Sequence, residues 1–277
     1  HKITSFGQYL FQNCINGHVL PLRYSPLSDY SFSLDPSSSS PISHPIPSEG
    51  LQITIITDLK TGDHNLEYML KTLQQCFSNV PDVINLWDLE IQGPCLGCLQ
   101  CGYANQCRYD DGFSHVVEKS IKTTDILIFA GSTQDRYLSA RWKLFFDRFF
   151  YNGHVPSLIG IPLGFCITGS LPRNENLQEI LLSFARMHRA VPVGFVSDYP
   201  YLSHEGLEAI DSSDRLNSAL YNLANRLITA HRTNLRGTNF RQIGGQLLFR
   251  DEVFHNLNMI FRADHQRYRQ LGIYKTF

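Results

Sequence analysis

The sequence predicts an α/β fold: one doubly wound, five-stranded parallel sheet with helices on both faces. Three observations predict it. Short apolar runs rich in β-branched residues recur from residue 51 onward. Amphipathic stretches of helix length separate them. The runs are near-continuous rather than alternating, as expected of strands buried on both faces. The strands are QITIIT at 52–57, VINLW at 83–87, DILIFAG at 125–131, IGIPLGFCIT at 159–168 and AVPVGFVS at 190–197. Helices are expected at about 64–78, 112–122, 138–152 and 174–189, each a crossover between parallel neighbours.

The flanks read differently. Residues 35–50, DPSSSSPISHPIPSEG, are rich in Ser and Pro and read as a linker, which places a boundary near residue 50. Before it, FGQYLFQNCINGHVLPL has apolar content without a clear period. After residue 200, EGLEAIDSSDRLNSALYNLANRLITAH and DEVFHNLNMIFRADHQRYRQL each carry the three-four spacing of an amphipathic helix. The expected organisation is an N-terminal extension and linker (1–50), the α/β domain (51–200) and a helical C-terminal tail (201–277).

Composition narrows the function. Of 277 residues, 43% are hydrophobic and 18% charged, which suits a packed core and not a disordered chain. Lys and Arg total 24 against 25 Asp and Glu, a formal charge of -1, so no global basic field exists to hold nucleic acid or acidic lipid. No apolar run reaches the length of a membrane span, and no basic region followed by an apolar stretch opens the chain, so the reading is cytoplasmic. The chain begins at His1 and not Met, so it reads as trimmed or as part of a longer one. There is no HExxH pair, G-x-G-x-x-G fingerprint, P-loop or G-x-S-x-G elbow, which removes the main support for zinc protease, kinase and serine hydrolase readings.

Seven cysteines are an odd number, and Cys95, Cys98, Cys101 and Cys107 form C-x2-C-x2-C-x5-C within GPCLGCLQCGYANQCRYDDG. Such crowding suits metal or redox chemistry better than a disulfide framework. Three thiolates spaced by two residues can wrap one corner of a cubane while a fourth closes the site, as in four-iron clusters. Gly97 and Gly102 would permit tight turns beside the ligands. Zinc is the competing metal, although its structural sites usually pair two knuckles across a longer spacer. Free thiols on a surface loop are the other alternative. Cys166 reads as a small buried hydrophobe, Cys76 lies near a helix end, and Cys14 sits in the unreadable beginning.

Ligands of doubly wound sheets bind beyond the carboxyl ends of the strands, where the strand order reverses. That selects TDLKTGDHN (57–65), GSTQDRYLS (131–139) and TGSLPRNEN (168–176). With strand order 2-1-3-4-5, the cysteine loop after the second strand would share this rim, making metal and cofactor neighbours.

Over about residues 51–198 the sequence resembles the flavodoxin-like NAD(P)H-dependent FMN reductases, and within them the iron-sulfur flavoproteins. The cysteine run followed by Asp110 and Asp111 is similar to that subgroup's cluster loop, and SARWKLFFDR (139–148) resembles the family's helix after the third strand. The resemblance implies an FMN-dependent electron-transfer oxidoreductase, with FMN in the three loops and a [4Fe-4S] cluster on Cys95, Cys98, Cys101 and Cys107. It also implies NAD(P)H as a possible donor, and a homo-oligomer, dimer or tetramer, in which one subunit's cluster approaches another's flavin. An electron donor or acceptor protein, or a small quinone-like molecule, would be the partner. The chemistry belongs to the cofactors, so no catalytic side chain is expected.

The FMN-binding candidates are Thr57, Lys60, Thr61, His64, Asn65, Gly131, Ser132, Thr133, Gln134, Tyr137, Thr168 and Gly169. Family members usually carry Gly-Ser-Pro-Arg and then Gly-Asn-Thr in the first loop. Thr57, Asp58, Leu59 and Lys60 stand at the former, while His64, Asn65 and Leu66 approximate the latter. Asp58 would repel a phosphate unless it points away. Ser132 and Gln134 replace the usual Pro and Tyr of the third-strand loop. Lys60, Thr61 and Asn65 could equally be solvated or capping residues, Thr168 and Gly169 a simple turn, and Tyr137 packing. Trp142, Phe145, Phe146 and Phe149 fall at helical spacing and read as core or subunit contact, with Asp147 and Arg148 as structural partners. Two alternatives stay open: a cluster-free NAD(P)H-dependent FMN or quinone reductase, and a degenerate, non-catalytic flavodoxin-like binding domain.

Overall fold

The computed structural model describes residues 2–17, 33–35, 37, 42–199, 209–237 and 240–275. Five strands, β1 (Ile53–Thr57), β2 (Asp82–Asn85), β3 (Ile126–Ser132), β4 (Pro162–Thr168) and β5 (Val191–Val196), pair in parallel in the order β2-β1-β3-β4-β5. The registers Thr57↔Asn85, Thr57↔Ala130 and Ser132↔Thr168 align the carboxyl ends of the central strands at one rim. β1 and β4 are buried throughout and β3 is buried up to Ser132, which accounts for their unbroken apolar runs; β2, at the edge, is half open. Two strands differ from expectation. Gly160 turns the chain with φ +74°, so β4 begins at Pro162 and not 159. A turn closed by Asp88 N–H on Asn85 O (3.0 Å) ends β2 before Leu86.

Helices α2 (His64–Gln75) and α7 (Ala209–Arg232) cover one face, where Leu66, Met69 and Leu73 meet Ile53, Ile55 and Ile128 beside Leu216, Leu220, Leu223 and Leu227. The other face carries α4 (Gly112–Val116), which continues as a π turn over Val117–Ile121, with α5 (Ala140–Phe149) and α6 (Glu175–Met187). Its core is aromatic: Phe129 lies with ring centroids 5.0, 5.5 and 5.4 Å from Trp142, Phe145 and Phe184. Such pairs are worth about 0.5–1.5 kcal/mol beyond their buried area. Trp142, Phe145 and Phe149 are therefore core residues.

α6 ends in a Schellman motif, with Ala190 N–H on Ala185 O (2.9 Å) and Arg189 N–H on Arg186 O (3.1 Å). Glycine is the usual residue at the left-handed position of that motif; here Arg189 holds it at φ +62°.

Outside the sheet, Lys2–Ile15 forms a helix, α1, that no period in the sequence signalled, and its apolar residues Ile3, Phe6, Leu10 and Phe11 are exposed. Within the Ser/Pro-rich stretch Ile46 is buried and bridges the chain at Phe77, its N–H on Cys76 O at 2.7 Å. The helix expected over 251–271 is two helices, α8 (Phe240–Glu252) and α9 (Arg262–Gln270), with α3 (Gln100–Ala104) of the cysteine loop packed on the second. Phe261 breaks the run at φ -100° and ψ 54°, because its ring turns inward to stack on His154 at 5.3 Å. Among the described residues no helix is long and apolar enough to cross a membrane.

His188, at the C-cap of α6, is wedged against Phe149 and Phe184 (4.7 and 4.6 Å), and burial drives its pKa down to about 3. The unfolded chain, with an ordinary His, binds that proton first, so stability present above pH 6.5 is lost as pH falls toward the folded value. Urea unfolding should show about 2 kcal/mol less stability at pH 5 than at pH 7.5 from this group, and His188→Phe should remove that component.

Candidate functional site

The cysteine loop leaves β2, crosses outside α4 and α5 and returns at Asp111. Gly97 (φ +61°) and Leu99 (φ +60°) both take left-handed backbone, turning the chain twice between Cys95 and Cys101. Gly102 serves another purpose than the turn expected of it. A Cβ there would lie 2.7 Å from the Phe261 ring, so glycine lets α9 close on the loop. Arg262 adds a hydrogen bond to the Tyr103 hydroxyl at 2.8 Å.

Cys95, Cys98, Cys101 and Cys107 are all free thiols and all line one cavity of about 200 Å³. Phe249 and Phe261 form its C-terminal wall. Among the described residues no three His, Cys, Asp or Glu side chains converge on a single ion-sized point.

Two cations face this space. Arg148, fully buried, forks onto Asp111 at 2.8 and 2.9 Å and lies 4.3 Å from the Tyr109 ring centroid. Burial opposes charge at Asp111, but Arg148 and the N–H groups of Gln92 and Ser114 outweigh it and hold the carboxyl at about 2. Burial likewise works against Arg148, while Asp111 and Cys107 raise its pKa. Its Nε has no hydrogen-bond acceptor among the described residues, although Cys107 stands beside it. His154 bonds Asp264 through Nδ1 at 2.7 Å. Burial lowers its affinity for a proton, and Asp264 and Cys101 reverse that to bring it to about 9.

The rim at the strand ends is a separate place. Its three loops meet: the Ser132 hydroxyl bonds Asp63, Thr168 Oγ1 donates to Ser132 Oγ at 2.7 Å, and Gly169 N–H bonds Asp198 at 2.8 Å. Gly169 (φ +90°) is crowded by Thr133, whose Oγ1 would lie 1.9 Å from a Cβ. Gln134 and Tyr137 exchange backbone bonds at 2.7 and 3.2 Å, and Gly131 is packed beneath Trp142 and Asp58. In the first loop Thr57 is buried, Thr61 and His64 are exposed, Asn65 bonds Leu34 N–H (2.8 Å) and Asp198 (2.9 Å), and Lys60 sits 4.2 Å over Trp87.

Asp58 stays within the rim: it turns toward Ser139 and Trp142, its Oδ1 would lie 3.0 Å from a Cβ at Gly131, and burial, with Asp63 adding, raises its pKa. Asp63 is the residue that sequence reasoning missed. It caps α2, accepting from Leu66 N–H at 3.3 Å, which is where an anion would be held at this helix end. An Asp before an amphipathic run is a capping signal, and it was available. Trp87, Asp198, His154 and Asp264 had no local signature.

The two places are not neighbours along one edge. None of the rim candidates lines the cysteine cavity, whose wall is built at the C-terminal end of α5 while the rim lies at its N-terminal end. Ten residues of helix make about 15 Å. The expectation of a shared rim is corrected: the loop is long enough to carry its sulfurs down the flank of the domain. Arg148 pairs with Asp111 and Asp147 with Lys143.

This arrangement of sheet, crossovers and rim decides the fold. It is flavodoxin-like. A crystal structure of RosB with bound 8-demethyl-8-formylriboflavin-5'-phosphate superposes with a TM-score of 0.54 at 11% identity, covering 73% of this chain and 88% of that one. FerB, a flavoenzyme NAD(P)H:(acceptor) oxidoreductase from Paracoccus denitrificans, gives 0.45 at 14% identity over 66% of this chain and 98% of its own. The Trp repressor binding protein from Bacillus subtilis gives 0.42 at 19%, over 62% and 98%. No family model and no curated protein matches the sequence. In this flavodoxin-like domain the Asp111–Arg148 pair ties the cysteine loop to α5. Asp111→Asn should cost about 3–5 kcal/mol in chemical denaturation, because it strands a buried guanidinium.

Proposed function

We propose that the protein is a flavin-dependent oxidoreductase carrying a four-iron cluster in the cysteine cavity. The observation that supports it most is that four free thiols of one loop line a single cavity beside Arg148 and His154. The donor set fits the group: four sulfurs, an N–H at Arg148 Nε with no acceptor among the described residues, and aromatic rings along one wall. Cys95, Cys98, Cys101 and Cys107 would hold the iron, and such a cluster passes one electron at a time where a flavin takes two. Arg148 and His154 would offset the negative charge of a thiolate-bound cluster, and Phe249 and Phe261 cover one side of it.

FMN belongs to the proposal through the family resemblance more than through free donors at the rim. The N–H groups of Thr133, Gln134, Tyr137 and Gly169 and the hydroxyls of Ser132 and Thr168 already bond within the rim or to Asp63 and Asp198, and Asp63 occupies the helix end that Lys60, Thr61, His64 and Asn65 would offer a phosphate. Asp63 thereby favours a second reading, a flavodoxin-like scaffold without flavin. NAD(P)H as donor, a quinone-like or protein acceptor and assembly into a homo-oligomer belong to the proposal through the family resemblance.

An anaerobic preparation examined by visible absorption, iron, labile sulfide and FMN content tests both readings together. Near four iron atoms per chain, lost in Cys101→Ser, is the expected result; a colourless protein that cannot be reconstituted overturns the cluster. Asp63→Ser keeps a cap on α2 and removes a negative charge, so FMN titrated into it should bind about tenfold or more tightly than into the native chain. Absence of flavin binding in both forms would favour the scaffold.

A further inference from the structure

A second cavity, of about 380 Å³, adjoins the cysteine cavity and shares Phe150, His154 and Phe249 with it. Its size lies in the range of small-molecule sites. The segment after α5 and the end of α6 form one side, and α8 and α9 form the other. Apolar surface from Phe150, Met187 and Phe249 dominates, yet Arg186, Arg189 and Arg267 also face the space.

Arg186 stands 3.9 Å from Glu179. The other two guanidiniums have no salt bridge among the described residues. The carboxylate that Arg267 senses, Asp264, is committed to His154. Arg189 and Arg267 are half-buried, and burial lowers the pKa of both; at Arg189 the positive charge of Arg267 lowers it further. Tyr268 beside them is pushed up to about 12 by burial, so it stays a neutral hydroxyl and supplies no negative charge. Arg189 moreover sits at φ +62°, the position of the Schellman motif that glycine fills most readily. A strained backbone carries an arginine into an apolar cavity, opposite a second arginine, and among the described residues neither forms a salt bridge with an acid.

We propose that this cavity binds an organic anion, a carboxylate or phosphate monoester on an apolar body of one or two rings. Arg189 and Arg267 clasp the anionic group, since planar guanidinium forks suit both headgroups. Phe150, Met187 and Phe249 cover the body. The site stands whether or not the neighbouring cavity holds iron.

Calorimetric titration of the full chain with 2-naphthoate, 1-naphthyl phosphate and the uncharged 2-naphthalenemethanol tests it. At least one anion should bind about tenfold or more tightly than the alcohol, and the better anion identifies the headgroup. Arg189→Gly and Arg267→Gln should each weaken that anion about tenfold. Arg189→Gly should also leave Tm unchanged or higher, because glycine relieves the left-handed backbone; a merely structural arginine would lower Tm on removal. If Arg267→Gln does not fold, Arg189→Gly carries the test alone. Equal binding of anions and alcohol, no binding of either anion, or native affinity in Arg189→Gly overturns the proposal.

Discussion

Arg148 and Asp111 share two hydrogen bonds in a place from which water is excluded, and the return of the cysteine loop to the domain is arranged around them. The pair joins the last turn of a crossover helix to the end of a long excursion from an edge strand. The excursion has a second tie at α9, through Phe261 on Gly102 and Arg262 on Tyr103. The pair's rigidity comes from geometry on every side: Gly93 O and the Tyr109 ring also contact the guanidinium, and Asp111 caps α4 through Ser114 N–H at 3.1 Å. A buried pair of this kind contributes specificity of placement more than net stability. Here what it places is the set of thiols.

The sheet and the cysteine cavity are two constructions linked by α5. The first follows from strand burial and crossover handedness, and it assembles a rim whose hydroxyls and amides already bond one another. The second needs segments far apart in sequence: the loop after β2, the end of α5 and the helices after residue 240. Asp58, Asp63 and Asp198 bond within the rim, while Arg148 and His154, each paired with a carboxylate, face the cavity.

The sheet was legible because its strands are buried on both faces, so the apolar runs at 52–57, 125–131 and 159–168 carry their own evidence. Element ends were less so, since Gly160 and the turn at Asn85 act through backbone geometry that hydrophobicity does not report. The cysteines announced themselves by spacing. Their location did not, because position depends on the Arg148–Asp111 contact, 37 residues apart, and on His154–Asp264, 110 residues apart. At the rim, hydroxyls and glycines were readable, whereas the weight of Asp63 and Asp198 emerged only once the loops were brought together. Phe261 misled the periodicity reading for a similar reason: its ring is held by His154, so a residue that fits a helical stripe instead ends the helix.

Phe261 over Gly102 also sets an order of events. The ring that closes the cysteine cavity belongs to a stretch whose neighbouring contact, Arg262 to Tyr103, spans 159 positions. At ordinary rates of synthesis the ribosome needs roughly 8–30 s to cover that distance. Through that interval the thiols have emerged while one of their walls has not, so whatever enters the cavity, metal or oxidant, meets a site with a side missing on the nascent chain and a walled one afterwards.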